Sequence, residues 1–162
     1  MLMMRRLALS ILFAAMSLAG AFAADGLHYV NVWYGYTIDL PAGFLAVKES
    51  DNGDGGVSYS PDRKSKLAVW GANTMIDSFS SDIDDRIRSA QDEGWAIGYS
   101  KVTGSWASWS GEKDGRIFYS RAIRLCSDGA GYFDLQYPQE AKDVFDPVVN
   151  KLIKSFKPTS CN

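Results

Sequence analysis

The sequence has 162 residues, of which 46% are hydrophobic, and it carries 17 basic against 19 acidic side chains. A chain of this length suits one domain with a sizeable core. Its mildly acidic balance and its lack of a basic block exclude nucleic acid and anionic lipid surfaces as natural partners.

The first 23 residues have the three parts of a cleavable export signal. Arg5 and Arg6 form a basic region, residues 7–18 form an apolar run, and small residues then end in an A-x-A cleavage site at 21–23. The run is too short and too rich in alanine to span a bilayer comfortably, since that takes about 20 apolar residues. An uncleaved membrane anchor is the alternative to export.

Cleavage near Ala23 leaves a single mature domain over residues 24–162, in the periplasm or secreted to the medium. The signal contains two basic residues and no acid, so the mature chain keeps 15 basic against 19 acidic side chains, a net charge of −4. No other apolar stretch is long enough to cross a membrane. We therefore expect a soluble product that does not insert stably into a membrane.

The two cysteines, Cys126 and Cys161, both lie in the mature region. In an oxidising compartment they are expected to form a disulfide. The bond would pin the C-terminal tail to a strand and close a loop of about 35 residues, which is nominally worth roughly 3–4 kcal/mol. The alternative is a reactive thiol at Cys126, but the single histidine, His28, is far away in sequence.

Short alternating segments predict strands in the first half of the mature chain. These segments are residues 29–33, 36–40, 44–48, 57–60 and 66–72. Residues 50–56 consist of turn-forming types and predict a hairpin between two of the strands.

A change of period predicts a helix after these strands. Ile83, Ile87 and Ala90 recur at helical spacing among charged residues. Ser80 or Ser81 is the expected N-cap, and Gly94 is expected to end the helix.

The second half repeats the arrangement of strands followed by a helix. Strands are predicted over residues 95–102, 106–110, 116–126 and 131–137, with a tight turn at Asp114-Gly115. An apolar stripe predicts a last helix over 139–156; because it contains Pro147, a shorter helix capped by Asp146 is the alternative. The order of elements predicts an α+β fold, an antiparallel β-sheet flanked by helices.

Two short segments resemble the Mog1/PsbP-like family. Residues 34–44, YGYTIDLPAGF, resemble the family's opening segment, and Lys154-Ser-Phe-Lys157 resembles its last helical turn. The resemblance implies an α/β/α sandwich over the mature chain. It also implies a binding or assembly factor rather than an enzyme, and no catalytic residue carries over from the family.

The residues themselves do not supply a conventional active site. A serine hydrolase needs a base beside its nucleophile, and His28 is the single histidine, in a segment expected to fray. Residues 50–61 lack the first and last carboxylates of a calcium loop, and one histidine is too few for a zinc site. We expect no catalytic residue, metal or cofactor. Paired acids such as Asp84 and Asp85 leave a carboxylate-based envelope glycan hydrolase as an alternative.

Aromatic residues crowd the segment from Trp95 to Tyr119. Filling the core beneath a helix is the default role for such a group. If one or two are exposed, we expect them to be Trp106 and Trp109, which have small neighbours and could form a partner-binding site. The sequence favours a non-enzymatic binding protein of the bacterial envelope whose partner is another envelope protein or a glycan. A small-ligand carrier is the second alternative.

Overall fold

The computed structural model describes residues 26–74, 78–126 and 128–159. The expected export signal and Cys161 lie outside these ranges. The described residues form an α+β fold with two sheets and two α-helices, so the predicted fold class is confirmed.

The elements follow the order strands, helix, strands, helix. The strands are β1 His28–Asn31, β2 Tyr36–Asp39, β3 Lys48–Glu49, β4 Gly55–Tyr59, β5 Lys66–Asn73, β6 Ala96–Val102, β7 Trp106–Lys113, β8 Arg116–Arg124, β9 Gly129–Pro138 and β10 Lys157–Pro158. The helices are α1 Phe79–Asp92 and α2 Lys142–Ser155, and a 3-10 turn, Gln139–Ala141, precedes α2. No helix within these ranges has the length and apolarity to cross a membrane.

Seven strands form one antiparallel sheet in the order β3-β4-β5-β9-β8-β7-β6. Strands β1, β2 and β10 form a small antiparallel sheet in the order β1-β2-β10. β9 is central because α1 and the meander β6-β7-β8 are inserted between it and its neighbour β5. The long register between β5 and β9 therefore joins the two halves of the chain.

Both faces of the large sheet bury apolar residues, because successive strand residues point to opposite sides. In β9, Ala130 and Tyr132 pack with Ile83 of α1, on what we call the α1 face. Phe133 and Leu135 pack on the opposite α2 face, with α2 and the small sheet. The two layers make the sandwich that the family resemblance implies.

Helix α1 begins earlier than the sequence indicated. Its N-cap is Ser78, whose hydroxyl accepts a hydrogen bond from the Ser81 backbone N–H, so Ser80 and Ser81 are not caps. The extra first turn buries Phe79 in the α1-face cluster, and this burial favours the longer helix. Gly94 follows the last turn with a φ of +92°, which confirms the predicted end.

Helix α2 runs through Pro147, so the alternative of a shorter helix capped by Asp146 is wrong. The Asp146 carboxylate instead accepts a hydrogen bond from Lys142 Nζ at 2.7 Å, one turn earlier. Pro147 lies in the second turn of α2, so the helix lacks the hydrogen bond that an N–H at this position would donate to the Asp143 carbonyl. Val149 and Leu152 anchor the helix in the core.

The first hairpin departs from the prediction. β1 ends at Asn31, so Val32 and Trp33 lie in a turn, 84% and 83% exposed, rather than in a strand. Asn31 holds this turn because its Nδ2 donates to the Gly53 carbonyl at 2.8 Å and its Oδ1 accepts from the Tyr34 N–H. Residues 44–48 also pair less than expected, since only Lys48–Glu49 forms a strand there.

Both predicted turns are confirmed. Asp114 and Gly115 have φ values of +49° and +71°, which suit a type I′ hairpin turn. In the hairpin between β3 and β4, the Asp54 carboxylate accepts hydrogen bonds from Ser50 and Asn52, so the acidic turn is stabilised by its own side chains.

Candidate binding surface on the open part of the sheet

Trp106 and Trp109 lie on opposite faces of the large sheet. Both are in β7, three residues apart, and an odd spacing along a strand places side chains on opposite sides. Trp106 is paired with Ile123 on the α2 face, whereas Trp109 is paired with Ser120 on the α1 face. The two indoles therefore cannot form one surface.

Trp109 is 4% exposed, so its expected exposure is wrong. It belongs to the cluster beneath α1, with Phe79 and Phe118. The burial follows from the amphipathic helix, which needs large apolar side chains on the sheet face that it covers.

Trp106 remains partly exposed on the α2 face, near the end of the sheet where β6 is the edge strand. The Arg121 guanidinium carbon lies 4.1 Å from the Trp106 ring centroid, and Lys101 Nζ lies 5.4 Å from it. Both distances are within the range of a cation–π interaction. We call the group Tyr99, Lys101, Trp106, Tyr119 and Arg121 the open-face patch.

The patch lies toward the edge strand β6, away from the main packing of α2. Helix α2 packs mainly on β2, β8 and β9 and does not pack to a comparable extent on β6 and β7. Tyr99 in β6 is 45% exposed, and the register shifts between Ile97 and Tyr99 as at a β-bulge. Beside the patch, a groove of about 570 Å³ between the sheet and α2 shares Tyr119 with it.

Arg121 is the least satisfied polar side chain of this surface. Its Nη1 donates a hydrogen bond to Ser108 Oγ at 3.0 Å. Its Nε is buried and makes no hydrogen bond, the only such side-chain atom found in the part of the chain that the structure describes. Burial lowers the pKa of the guanidinium, opposed by the nearby Tyr119 and Tyr99 hydroxyls. Burial raises the pKa of the Tyr119 hydroxyl, because it disfavours the charged form there too.

No carboxylate balances the charge of the patch. Among the described residues, the ion pairs join His28 to Asp39, Arg86 to Asp82, Arg88 to Asp85 and Lys142 to Asp146. Arg121 and Lys101 are in none of them. The patch therefore presents two cations beside exposed aromatic rings, an arrangement that can receive a carboxylate by charge-assisted hydrogen bonds.

The groups considered for catalysis lie elsewhere. His28 is at the start of β1, with Nδ1 2.6 Å from Asp39 Oδ1 on an exposed part of the small sheet. Cys126 follows β8, and its Sγ is 3.6 Å from the Thr159 carbonyl oxygen. Thr159 is two residues before Cys161 in sequence; the disulfide itself stays a prediction because Cys161 is not described.

Sequence reasoning missed Arg121 and the exposed turn at Val32 and Trp33. A signal for Arg121 was present, because it alternates with Tyr119 and Ile123 on one face of a strand that is apolar on both sides. A basic residue at such a position marks the place where the covering layer ends. Trp33 gave no comparable signal, since tryptophan before Tyr-Gly suits a strand end as well as a turn.

Comparison with known proteins places the fold. No protein-family model matches the sequence, and no curated protein matches it significantly. The solution structure of cyanobacterial PsbP from Synechocystis matches with a TM-score of 0.59 and 15% identity, over 89% of this chain and 98% of that one. The Saccharomyces cerevisiae Ran-binding protein Mog1p matches with a TM-score of 0.61 and 10% identity, over 85% and 97%.

A structure of a Mog1 point mutant gives the same TM-score of 0.61 at 10% identity, covering 84% of this chain and 97% of that one. Identities this low carry information about architecture and not about activity. The resemblance noted in the first and last segments of the sequence is thus confirmed at the level of the whole fold: the chain is similar in fold to the Mog1/PsbP-like proteins.

Proposed function

We propose that the mature chain is an exported, non-enzymatic binding protein of the bacterial envelope, and that it docks an acidic segment of another envelope protein on the open-face patch. The export signal predicted from the sequence supports the location. The fold supports a binding role, because one protein that shares it, Mog1p, is named as Ran-binding.

The observation that carries the proposal is the buried Nε of Arg121, which makes no hydrogen bond. A buried donor without a partner costs about 1–3 kcal/mol, and more when the group is charged. The folded chain bears this cost at a position next to an exposed face. A carboxylate from a partner would accept a hydrogen bond from Nε and remove this cost. The free energy lost on folding would then be recovered on binding and would add to the affinity for the partner.

The chemistry of the partner follows from the charges around Arg121. Lys101, in β6, adds a second cation on the same face of the sheet, and none of the ion pairs among the described residues includes Lys101 or Arg121. Partly buried tryptophan and arginine are the residue types most often responsible for binding energy at protein interfaces. An acidic segment with an apolar residue to contact the indole is the occupant that fits these groups.

The test compares protein capture by four forms of the mature domain, residues 24–162. The wild type, Trp106→Ala, Arg121→Gln and Trp33→Ala are each immobilised and exposed to an envelope extract, and bound proteins are quantified and cross-linked. Trp33→Ala is the matched control, because Trp33 is 83% exposed and lies in the turn between β1 and β2, outside the patch. We expect a partner that the wild type and the control retain and that both patch variants lose by about tenfold or more.

A peptide covering the cross-linked segment of that partner then decides its chemistry. The acidic peptide should bind with an affinity that falls as salt rises, and its Asp/Glu→Asn/Gln version should not bind. Capture that survives both patch variants but is lost in Trp33→Ala would refute the site. Retention of glycan instead of protein, abolished by Trp106→Ala, would refute the proposed partner.

A further inference from the structure

The α1 face contains a second concave site, distinct from the open-face patch. A cavity of about 290 Å³ lies between α1 and the strands beneath it. Its walls include the rings of Trp70, Trp95, Trp109 and Phe118, and its polar lining includes Ser120, Asp134 and Gln136. Three tryptophans from three places in the sequence thus surround one acidic group.

The strand pairing explains how these side chains meet. Asp134 in β9 is opposite Ser120 in β8, and Ser120 is opposite Trp109 in β7, so the three lie in one row across the α1 face. Trp70 comes from β5 on the other side of β9. Trp95 follows Gly94 at the end of α1, and its ring meets that of Phe118 edge to face at 4.9 Å.

Asp134 is held in place but lacks a counter-charge. Its Oδ2 accepts a hydrogen bond from Ser120 Oγ at 2.6 Å, and its Oδ1 accepts one from Gln136 Nε2 at 2.9 Å. Within the described ranges, no lysine or arginine nitrogen lies within 4.0 Å of either oxygen. A partly buried carboxylate normally has a cationic partner.

The other charged residues at the cavity do not supply a counter-charge for Asp134. Arg86 is engaged by Asp82, with 2.7 Å between Nε and Oδ2, and the same Oδ2 accepts a hydrogen bond from the Tyr132 hydroxyl. Glu93 at the rim adds a further negative charge. Lys66 on β5 acts on Asp134 only at longer range. The cavity is therefore acidic and aromatic at once.

We propose that this cavity binds the alkylammonium group of an organic cation, with Asp134 as counter-charge and the tryptophan rings as the surrounding wall. Aromatic side chains attract such cations through their negative ring faces, most strongly when water is excluded. The volume suits a trimethylammonium or primary ammonium head with a short chain. The group could belong to a small molecule or to a lysine side chain, and both carry the same chemistry.

The first experiment uses the wild-type mature domain and needs no variant. Choline and its uncharged isostere 3,3-dimethyl-1-butanol are titrated while the indole N–H resonances and tryptophan fluorescence are followed. We expect saturable binding of choline that is about tenfold or more tighter than that of the alcohol. Equal binding of the two, binding of neither, or preferential binding of N-acetylglucosamine would overturn the proposal.

The second experiment removes the counter-charge. Asp134→Asn keeps the shape of the side chain; its Oδ1 can accept from Gln136 and its Nδ2 can donate to the Ser120 hydroxyl, and we expect the variant to weaken choline binding about tenfold. Asp84→Asn, an exposed position on α1, is the matched control and should bind as the wild type does. Unchanged affinity in a folded Asp134→Asn would also refute the proposal. Choline compared with N-acetyl-lysine methylamide distinguishes a free cation from a protein side chain as the source.

Discussion

The two faces of the large sheet use alternate residues of the same strands, but only one is covered along the meander β6-β7-β8. On the α1 face, Trp109 and Phe118 lie beneath a helix and are almost wholly buried. On the α2 face of the same strands, Trp106 is partly exposed, and α2 packs mainly on β2, β8 and β9 rather than on its strand β7. The position of the covering helix, rather than residue type, decides which tryptophan contributes to stability and which is available to a partner.

The comparison predicts that replacing tryptophan with alanine lowers the free energy of unfolding much more at position 109 than at position 106. Trp109→Ala should lower the free energy of unfolding by about 3–5 kcal/mol, because it leaves a cavity in a packed cluster. Trp106→Ala should cost clearly less, since its ring is partly in water. Urea unfolding of both variants measures the two values, and similar losses would mean that the open face is as tightly packed as the closed one.

Two glycines allow the same comparison between a packed and an open part of the large sheet. A Cβ on Gly71 would come within 2.1 Å of the Tyr34 ring, so Gly71→Ala should destabilise the fold by about 1–3 kcal/mol. Gly98, in edge strand β6, has no atom within 4 Å of such a Cβ, and Gly98→Ala should be near neutral. Thermal melts compare the two. A double variant that adds Tyr34→Ala should recover part of the Gly71→Ala loss.

On the α1 face, Asp134 should have a smaller effect on folding stability, and this effect should depend on pH. Burial raises the pKa of its carboxyl group, with Glu93 acting in the same direction and Ser120, Gln136 and Lys66 opposing it. As pH rises through the window between the ordinary carboxyl pKa and the raised one, the unfolded chain releases its proton first, so stability falls. Asp134→Asn should therefore stabilise the protein at pH 7, and the gain should vanish near pH 3.8. Melting curves across this range show whether it does.

Arg121 should have the smallest effect on stability. Arg121→Met keeps the apolar contact with Trp106. It removes the unsatisfied Nε but also the Nη1 hydrogen bond to Ser108, and because these two effects oppose each other we expect a net change within about 0.5 kcal/mol. The same variant should lose partner capture. A large loss of stability in calorimetry would assign Arg121 a structural role and weaken the proposed function.

Much of the fold follows from the sequence because local chemistry and period agree there. The Asp114-Gly115 turn, the end of α1 at Gly94 and the α+β order were all predicted from residue types. Errors arose where tertiary contacts decide: burial of Phe79 extends α1, and Asn31 turns the first hairpin early. The sites could not be derived, because Asp134, Ser120 and Trp70 meet only through strand pairing across the sheet.

The small sheet has a consequence for the timing of folding. β2, near the start of the described chain, is completed by β10 at its end, with Thr37 opposite Lys157. Such pairing joins segments of very large sequence separation and forms slowly. A chain that leaves a ribosome with its N-terminus first cannot make this connection until residues 157–158 emerge. The small sheet therefore stays incomplete until β10 is available, however early β1 and β2 have paired.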